Sequence, residues 1–478
     1  MSAPSAGEGL TRRRRLGILA ICCLSLFIVG VDTTAVNLAL PSIGRDLGAT
    51  SSQLQWVIDA YTLVLASLLM LSGSTADRLG RRKVFQVGLL IFGVGSLLCS
   101  LAQDPAVLIG SRMLQAVGGS MLNPVAMSII TNTFRDPRER AQAIGMWGGV
   151  VGLSMALGPV IGGALVDAVG WRAIFWLNLP VVVAAIALTT LFVPESRADR
   201  VRRLDPVGQL LVIVALATVT YAIIEGRALG WTSVTVLGCF AVASVAGAVL
   251  ASYEMRRKEP LLDPRFFRSV PFSGAVLSAV IGMCAFAGFL FLNTLYLQDV
   301  RGMSPLQAGL MTLPMAVAMA IFSPVSGQLV GSRGPRVPMA LAGAGVGASG
   351  LLLLRTNDGT SLWFLGVAYV LFGIGIGFIN APITNAAVSG MPRSQAGVAA
   401  GIASTSRQVG TSLGVAVLPA IALGSLQGDL ASGLAEASHG AWVVVVACGV
   451  ALVAIAFAVT SAPALRTRDR VAAELGAA

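Results

Sequence analysis

Residues Gly73–Lys83 read GSTADRLGRRK, a basic loop between two long apolar stretches, and its pattern returns 254 residues later. The matched pairs are Gly48 with Gly302, Gly73 with Gly327, Gly80 with Gly334, Arg82 with Arg336 and, as a similar pair, Thr50 with Ser304. In both places an apolar stretch, a Gly/Ser turn, a second apolar stretch and a basic loop follow in the same order. Two related halves within a membrane protein are typical of a transporter whose substrate site lies between the halves.

The composition is that of a membrane protein. Hydrophobic residues make up 55% of the chain, charged residues make up 12%, and the mean hydropathy is +0.82. A soluble domain carries roughly 25% charged residues. Apolar runs long enough to cross roughly 30 Å of hydrocarbon as helices recur along the whole chain. Fourteen spans are predicted, over residues 16–40, 53–74, 84–101, 106–130, 141–166, 173–193, 207–225, 233–252, 271–297, 305–330, 337–354, 361–390, 396–424 and 441–461.

The placement of Lys and Arg predicts the orientation of these spans. With the N-terminus in the cytoplasm, the inside segments hold 26 of the 33 basic residues and the outside loops hold five. Cytoplasmic loops carry such an excess of Lys and Arg. Both termini are therefore predicted to be cytoplasmic. The net charge of +11 then reflects topology, and charges scattered over many short segments do not indicate nucleic-acid binding.

The predicted fold is an all-α integral membrane protein with two pseudo-symmetric six-helix bundles and two extra transmembrane helices. The 254-residue offset equals six helices plus the extra pair, so it maps the first span onto the ninth. The predicted segments are a cytoplasmic N-terminal tail (1–15), an N-terminal six-helix bundle (16–193), basic linkers with the two extra helices (194–269), a C-terminal six-helix bundle (270–461) and a cytoplasmic tail (462–478).

Several kinds of chemistry have no residues to support them. The six Cys residues lie in apolar runs without metal-ligand spacing and are interpreted as packing residues. The single His, His439, falls in a predicted outside loop, and no Walker A pattern occurs in the chain. We therefore expect no enzyme, no metal site and no bound cofactor.

Two acidic residues lie within predicted membrane spans, where an ionised carboxylate is energetically unfavourable. Of 22 acidic residues, only Asp32 and Asp59 lie well within predicted spans. Burial in general raises the pKa of a carboxyl group, so that it binds and releases protons near neutral pH. At ~1.5 Å per residue, Asp32 lies about 24 Å from the cytoplasmic end of its helix. Asp59 and Arg112 fall in the same outer half of the N-terminal bundle.

Helical spacing groups these residues with other polar ones. Gln115 and Asn123 share a face with Arg112, and Trp56 shares a face with Asp59. Polar faces on membrane helices point to protein or water. Our hypothesis is that Asp32 and Asp59 take up protons while Arg112 sets their proton affinity. The alternative is a static cluster of buried charges that only fixes helix packing.

Two further motifs have both a structural and a functional interpretation. Asp77 precedes the Gly80 loop, where it is placed to accept hydrogen bonds from a helix N-terminus in one conformation and release them in another. A plain positive-inside loop is the alternative. Pro159, after Gly158, removes one backbone donor and predicts a kink in the fifth span.

The second half lacks buried acids. Arg407 needs a counter-charge, carbonyl groups or an anionic ligand group. Apolar and aromatic walls with few polar anchors suit amphipathic, often cationic substrates, although such aromatic residues also serve as plain packing. The predicted substrate cavity comprises Gln115, Asn123, Trp56, Phe286, Phe289, Asn293, Tyr296, Asn380 and Arg407.

Five motifs in order resemble those of the major facilitator superfamily, in particular its fourteen-helix drug/proton antiporter branch. They are residues 32–41 (DTTAVNLALP), 73–83, 112–119 (RMLQAVGG), 158–163 (GPVIGG) and 171–180 (WRAIFWLNLP). The resemblance spans residues 16–461. It implies a conformational latch at Gly73, Asp77, Arg78, Gly80, Arg81 and Arg82, and an antiporter motif at Gly158, Pro159, Gly162 and Gly163. Ala173 and Gly331 depart from the branch, which often has an aromatic residue and an Asp there.

The sequence therefore predicts a proton-coupled multidrug efflux antiporter working by alternating access, driven by the proton gradient. Its expected partners are a small-molecule substrate, protons and membrane lipid, with no nucleic acid, and a monomer is expected. A bacterial cytoplasmic membrane is the expected location. Two alternatives remain open: an antiporter of the same fold with a narrow natural substrate (a lipid, an amino acid or a self-made antibiotic), and a transport-inactive sensor or scaffold.

Overall fold

Helices make up most of the chain that the computed structural model describes, which is residues 11–134, 136–197, 205–257, 264–389, 396–426 and 430–476. The predicted tails and the basic linkers lie partly outside these ranges. The α-helices are α1 (Arg12–Leu47), α2 (Ser51–Leu79), α3 (Arg81–Leu101), α4 (Pro105–Thr133), α5 (Pro137–Ala168), α6 (Arg172–Phe192), α7 (Pro206–Leu229), α8 (Val234–Glu254), α9 (Val270–Leu295), α10 (Pro305–Arg333), α11 (Arg336–Leu353), α12 (Leu362–Val388), α13 (Ala396–Gly424), α14 (Leu430–Ala437), α15 (His439–Val459) and α16 (Ala462–Gly476).

The lengths and apolar character of these helices fit a membrane. Within the described ranges, twelve helices are long and apolar enough to cross one, and thirteen if α2, which bends by 51° between Leu69 and Leu71, counts as one span. Helices suit this environment because each satisfies its own backbone hydrogen bonds where no water is present. The all-α, multi-pass membrane fold is confirmed. The count of fourteen spans is compatible with it and stays a prediction.

The 254-residue repeat corresponds to repeated local structure. Gly48 and Gly302 have nearly equal positive φ angles of 61° and 62°, in the left-handed region that favours glycine. Thr50 and Ser304 then cap α2 and α10, and each forms a capping box with the Gln three residues later. The matched residues therefore mark the same helix-start geometry in both halves of the chain.

The same repeat extends to helix packing within two compact units, Met1–Gln209 and Leu210–Ala478. In the first unit, α1 packs on α5, α2 on α4, and α3 on both α4 and α6. In the second unit the corresponding pairs are α9 with α13, α10 with α12, and α11 with α12 and α15. The extra helices α7 and α8 fall in the second unit after Gln209. Each unit therefore uses one pairing scheme for its six main helices.

Candidate functional site

The carboxylate of Asp32 on α1 is hydrogen-bonded through both oxygens. Its Oδ2 lies 2.5 Å from Arg112 Nη1, and its Oδ1 accepts from Gln115 Nε2 and Asn178 Nδ2, both at 2.9 Å. Ser96 Oγ accepts a further hydrogen bond from each amide, at 2.8 Å from Gln115 and 3.0 Å from Asn178. All five side chains are at most 1% exposed. We refer to these five residues as the Asp32 cluster.

Close helix packing brings these side chains together. A Cβ on Gly95 of α3 would lie 2.6 Å from the Cα of Gln115 on α4, and one on Gly118 would lie 2.3 Å from the backbone nitrogen of Phe92. Only glycine permits α3 and α4 to approach this closely. The approach places Ser96, the residue after Gly95, within hydrogen-bonding distance of Gln115.

Arg112 has aromatic as well as polar neighbours. Its guanidinium lies 4.1 Å from the ring centroid of Tyr61 and 5.9 Å from that of Phe175. Its Nε donates to the backbone carbonyl of Val57 at 3.3 Å, and its Nη1 lies 2.5 Å from Gln115 Oε1. A buried ion pair is costly unless its remaining hydrogen-bonding capacity is satisfied. These contacts and the two amides on Asp32 offset much of that cost.

The pattern of donors around Asp32 has a chemical consequence. The three groups bonded to its oxygens, from Arg112, Gln115 and Asn178, are all donors. An ionised carboxylate is an acceptor only, whereas a protonated carboxyl group must also place an O–H. The three donors fill three of the roughly four acceptor positions of the carboxylate, and a proton on Asp32 would remove the negative charge that holds Arg112. Protonation of Asp32 would therefore weaken the bonds that link α1 to α4 and α6.

The other predicted residues of the first unit lie on α2 and α4. Asp59 is fully buried, and Thr62 Oγ1 donates to its Oδ1 at 3.5 Å. It follows Val57, the carbonyl acceptor of Arg112, by two residues. Trp56 is partly buried. Asn123 is partly buried as well, and within the described ranges its buried Oδ1 has no hydrogen-bond partner. The structure thus joins Asp32, Arg112 and Gln115 directly.

The predicted latch residues surround the start of α3. Gly80 has φ +113°, and Arg81 on α3 pairs with Asp77 on α2 at 2.9 Å. The amides of Arg82 and Lys83 donate to the carboxylate of Glu195, at 3.1 and 3.3 Å. Glu195 therefore accepts from the α3 N-terminus, the kind of role that the sequence had suggested for Asp77.

The remaining latch residues lie in the same region. The amide of Arg81 donates to the carbonyl of Ser196 at 2.9 Å. Gly73 faces Pro124 of α4, with 3.6 Å between an added Cβ and the proline Cβ, and Arg78 is partly buried. A Cβ on Gly80 would lie 2.7 Å from the Glu195 carboxylate. Glycine is thus required at this position for two reasons: the backbone has a positive φ, and a side chain would collide with Glu195.

Glu195→Ala is expected to lower the stability of the first unit. The change leaves two amides at the α3 N-terminus without their acceptor and removes an anion from the positive end of the helix. Loss of such a cap costs about 0.5–2 kcal/mol. The thermal unfolding temperature of the purified protein measures the effect. Asp358→Ala is a control that removes one exposed acidic side chain from the loop after α11, and an equal loss in both variants would argue against the cap.

The predicted antiporter motif lies where α5 packs against α1. A Cβ on Gly158 would lie 1.8 Å from Thr34 Oγ1, and one on Gly162 would lie 2.6 Å from the Cβ and 2.8 Å from the Cα of Ala35. Pro159 and Gly163 are buried in the same stretch, and α5 continues through Pro159. The motif thus provides the small surface that the α1–α5 contact requires.

The predicted aromatic wall of the second unit is buried among its own helices. Phe289 stacks on Phe372 with 3.9 Å between the ring centroids. Asn293 accepts from the hydroxyl of Tyr369 at 2.7 Å. Phe286 and Tyr296 are 3% and 5% exposed, and the hydroxyl of Tyr296 donates to the carbonyl of Asn357 at 2.6 Å. Their role in a substrate cavity stays a prediction.

Arg407 on α13 is only partly satisfied. Its Nη2 donates to Ser404 Oγ at 2.8 Å, whereas its buried Nη1 has no hydrogen-bond partner among the described residues. Asn380 on α12 is partly buried, and its backbone carbonyl accepts from Thr384. Among the described residues, one guanidinium nitrogen of Arg407 therefore lacks an acceptor, as the sequence had suggested. The group that fills this position stays a prediction.

Comparison with known proteins assigns the family. The family model of the Major Facilitator Superfamily matches residues 22–415, which cover most of both units and the whole Asp32 cluster. The chain belongs to the Major Facilitator Superfamily. The predicted resemblance is confirmed, and this major facilitator protein is a membrane transporter and no enzyme.

Similar members of the superfamily are named for drug resistance. The multidrug resistance protein Stp of Mycobacterium tuberculosis is 38% identical over 86% of this chain and 76% of its own length. The tetracenomycin C resistance and export protein of Streptomyces glaucescens is 37% identical over 90% and 79%. The methylenomycin A resistance protein of Streptomyces coelicolor is 36% identical over 88% and 86%.

Two solved transporter structures share the fold of this chain. The human organic anion transporter MFSD10 has a TM-score of 0.63 at 16% identity, covering 93% of this chain and 100% of that one. A bacterial homologue of the human lysosomal transporter Spinster also has a TM-score of 0.63, at 17% identity, covering 98% and 99%. At such identities the likeness concerns the fold alone.

Sequence reasoning missed several residues of the major facilitator site. Ser96 carried no signal because serine is common in apolar helices, and Asn178 appeared only as part of a quoted motif. Tyr61 lies two residues after Asp59 in an apolar run, where its ring gave no hint of Arg112. Glu195 is 113 residues from Arg82 along the chain. An acidic residue just after the sixth span was the one available signal.

Proposed function

We propose that this chain is a proton-coupled multidrug efflux antiporter that exports amphipathic, often cationic compounds by alternating access. Membership in a transporter superfamily and relatives named for multidrug resistance and multidrug efflux support export. The observation that carries proton coupling is the donor-only environment of Asp32. It supports a carboxylate whose protonation is linked to a change in helix contacts.

The coupling step follows from that environment. A proton bound by Asp32 neutralises the carboxylate, which then accepts its three hydrogen bonds more weakly. Arg112 then loses its anionic partner, so the contacts between α1, α4 and α6 weaken. Release of the proton restores the ion pair. Because the two states differ in these contacts, the proton gradient biases the equilibrium between them.

The other site residues receive roles in the same cycle. We assign Asp59 as a second proton carrier on α2, and the Gly73–Arg82 segment, together with Glu195, as the latch. Asn123 supports a cavity assignment because its buried Oδ1 has no partner in the described part of the chain. Arg407 supports a cavity assignment as well, because its buried Nη1 has no hydrogen-bond partner among the described residues.

We further propose a bacterial cytoplasmic membrane as the location, with both termini in the cytoplasm. The excess of Lys and Arg in alternate loops supports this orientation. The protein is proposed to act as a monomer without a bound cofactor, with lipid, protons and the exported compound as its partners. The proton gradient supplies the energy.

A narrow natural substrate is the second candidate. The names of two relatives each specify one antibiotic, tetracenomycin C or methylenomycin A. A transporter of the same fold that exports a single antibiotic would contain the same Asp32 cluster. The width of the resistance profile separates the two candidates.

Overexpression of the chain in a pump-deficient host is expected to raise the inhibitory concentrations of several unrelated amphipathic compounds several-fold. The physical reason is a cavity that relies on apolar contact and a few polar anchors, which tolerates varied shapes. Growth inhibition across a panel of cationic dyes, antiseptics and antibiotics provides the measurement. The same panel is repeated with a protonophore, which should abolish the resistance.

The outcomes of this experiment differ clearly between the candidates. Resistance to one compound alone supports the narrow antiporter and contradicts multidrug export. Resistance to none, with the protein present in the membrane, contradicts both and favours the sensor or scaffold. Resistance that persists with a protonophore contradicts proton coupling.

A further inference from the structure

A surface groove of about 800 Å³ lies between the start of α1 and the end of α6. Its walls are small or apolar side chains, among them Ala20 and Leu24 on α1 and Leu188 on α6. Phe192, the last residue of α6, closes the same end as Arg13 and Arg14. The groove therefore joins a long apolar wall to a short basic end.

The basic end lacks an anionic partner in the part of the chain that the structure describes. Within the described ranges, neither Arg13 nor Arg14 forms an ion pair, whereas the next residue, Arg15, pairs with Glu139 at 2.5 Å. Arg14 Nε donates to the carbonyl of Phe192 at 3.2 Å. Arginine has five N–H donors, so this bond orients the guanidinium and leaves further donors for a ligand.

The helix start adds to the positive potential at this end. Thr11 caps α1, and the helix then runs for 36 residues. The N-terminus of such a helix carries a partial positive charge and favours anions. Two guanidinium groups without an ion pair among the described residues and a helix N-terminus thus lie together beside an apolar groove on a membrane protein.

We propose that this groove binds one anionic phospholipid, with the phosphate at Arg13 and Arg14 and an acyl chain along α1 and α6. Basic pockets at helix ends recognise lipid headgroups in this way. An acyl chain buried in the groove leaves water or bulk lipid for a close apolar contact with α1 and α6. Two arginines disfavour the cationic compounds proposed as exported substrates, so charge selects lipid over substrate here. The inference does not depend on which compounds are exported.

Native mass spectrometry of the full-length protein tests the headgroup contact. The probe is an equimolar mixture of phosphatidylglycerol, phosphatidylethanolamine and phosphatidylcholine with identical acyl chains. The wild-type protein is expected to retain phosphatidylglycerol several-fold more than phosphatidylcholine. Arg13→Gln/Arg14→Gln is expected to abolish this preference. The control Arg12→Gln/Arg466→Gln removes the same charge from two exposed arginines that do not line the groove, and it should keep the preference.

A second pair of variants tests the acyl chain. Gly17 lines the groove, and a Cβ there would meet nothing within 4 Å, as would one on Gly238 of α8. Gly17→Leu is expected to fill the groove and reduce phosphatidylglycerol binding several-fold, whereas Gly238→Leu should leave it unchanged. Both variants replace glycine by leucine, a better helix former, at a position with open space, so folding is preserved.

Four outcomes would overturn the proposal. They are no headgroup preference in the wild-type protein, equal losses in the two double variants, unchanged binding in Gly17→Leu, and displacement of the lipid by an equal concentration of inorganic phosphate. The last outcome would assign the basic end to a free anion.

Discussion

Asp32→Asn is expected to abolish proton-coupled export. An Asn at this position cannot take up a proton. Its amide nitrogen would also oppose donors from Gln115 and Asn178, or from Arg112, because the present carboxylate accepts from all three. Dye export driven by an imposed proton gradient in proteoliposomes measures the effect. The signal is expected to fall to that of empty vesicles.

A double variant separates coupling from folding. Removing Asp32 alone leaves Arg112 buried without an anion, and breaking a buried ion pair in this way costs about 3–5 kcal/mol. Asp32→Asn/Arg112→Gln removes both charges and is expected to recover most of the thermal stability, though none of the proton-driven export. A folded double variant that still exports with a proton gradient would support the static-cluster interpretation.

Asp46→Asn is the matched control for this experiment. Asp46 lies on the same helix as Asp32 and also pairs with an arginine, Arg172, at 2.6 Å. Its side chain is 47% exposed, and exposed ion pairs contribute about 0–1 kcal/mol. This variant should export as the wild type does. Loss of export in Asp46→Asn as well would contradict a special role for the buried carboxylate.

Gly162→Val is expected to reduce the amount of folded protein by forcing two helices apart. A Cβ at Gly162 would lie 2.6 to 3.1 Å from the Cβ, Cα and carbonyl oxygen of Ala35. Backbone atoms cannot rotate away as a flexible side chain can, so α1 and α5 must separate. Overpacking of this kind costs about 1–3 kcal/mol and occasionally more. Because Asp32 lies one helical turn from Ala35, the shift also disturbs the Asp32 cluster.

The comparison for Gly162→Val is Gly238→Val, where an added Cβ meets nothing within 4 Å. Thermal unfolding in detergent and export in proteoliposomes are measured for both variants. Gly162→Val should unfold at a clearly lower temperature and export poorly, while Gly238→Val should resemble the wild type. Equal unfolding temperatures would show that the α1–α5 contact tolerates side chains and that the motif has another purpose.

Part of the site was predictable because charged side chains are energetically unfavourable in the hydrocarbon of a membrane, so those found within apolar helices point to a site. Asp32 and Arg112 are charged residues in apolar runs, and Gln115 shares a helix face with Arg112, so spacing and composition indicated all three. Ser96 and Asn178 carry no charge and lie on other helices. Their contact with Asp32 depends on the close α3–α4 packing at Gly95 and on the position of α6, which no local pattern specifies.

The latch region shows the same limit more clearly. The sequence placed Asp77 and Gly80 at a helix junction and suggested a carboxylate at a helix N-terminus. The carboxylate that accepts from α3 is that of Glu195, and Asp77 pairs with Arg81 instead. Both acids are close to the junction in space. The choice between them follows from where α6 ends relative to α3.

Hydropathy, charge placement and the 254-residue repeat are properties of residues near one another along the chain, and helices in a membrane form from such local information. They were therefore sufficient to predict the membrane class, the orientation, the duplicated organisation and the charged residues that lie within apolar helices. Hydrogen-bond partners on different helices depend on how closely those helices pack. Tertiary structure alone revealed the donor-only environment of Asp32, the cap by Glu195 and the apolar groove at Arg13 and Arg14.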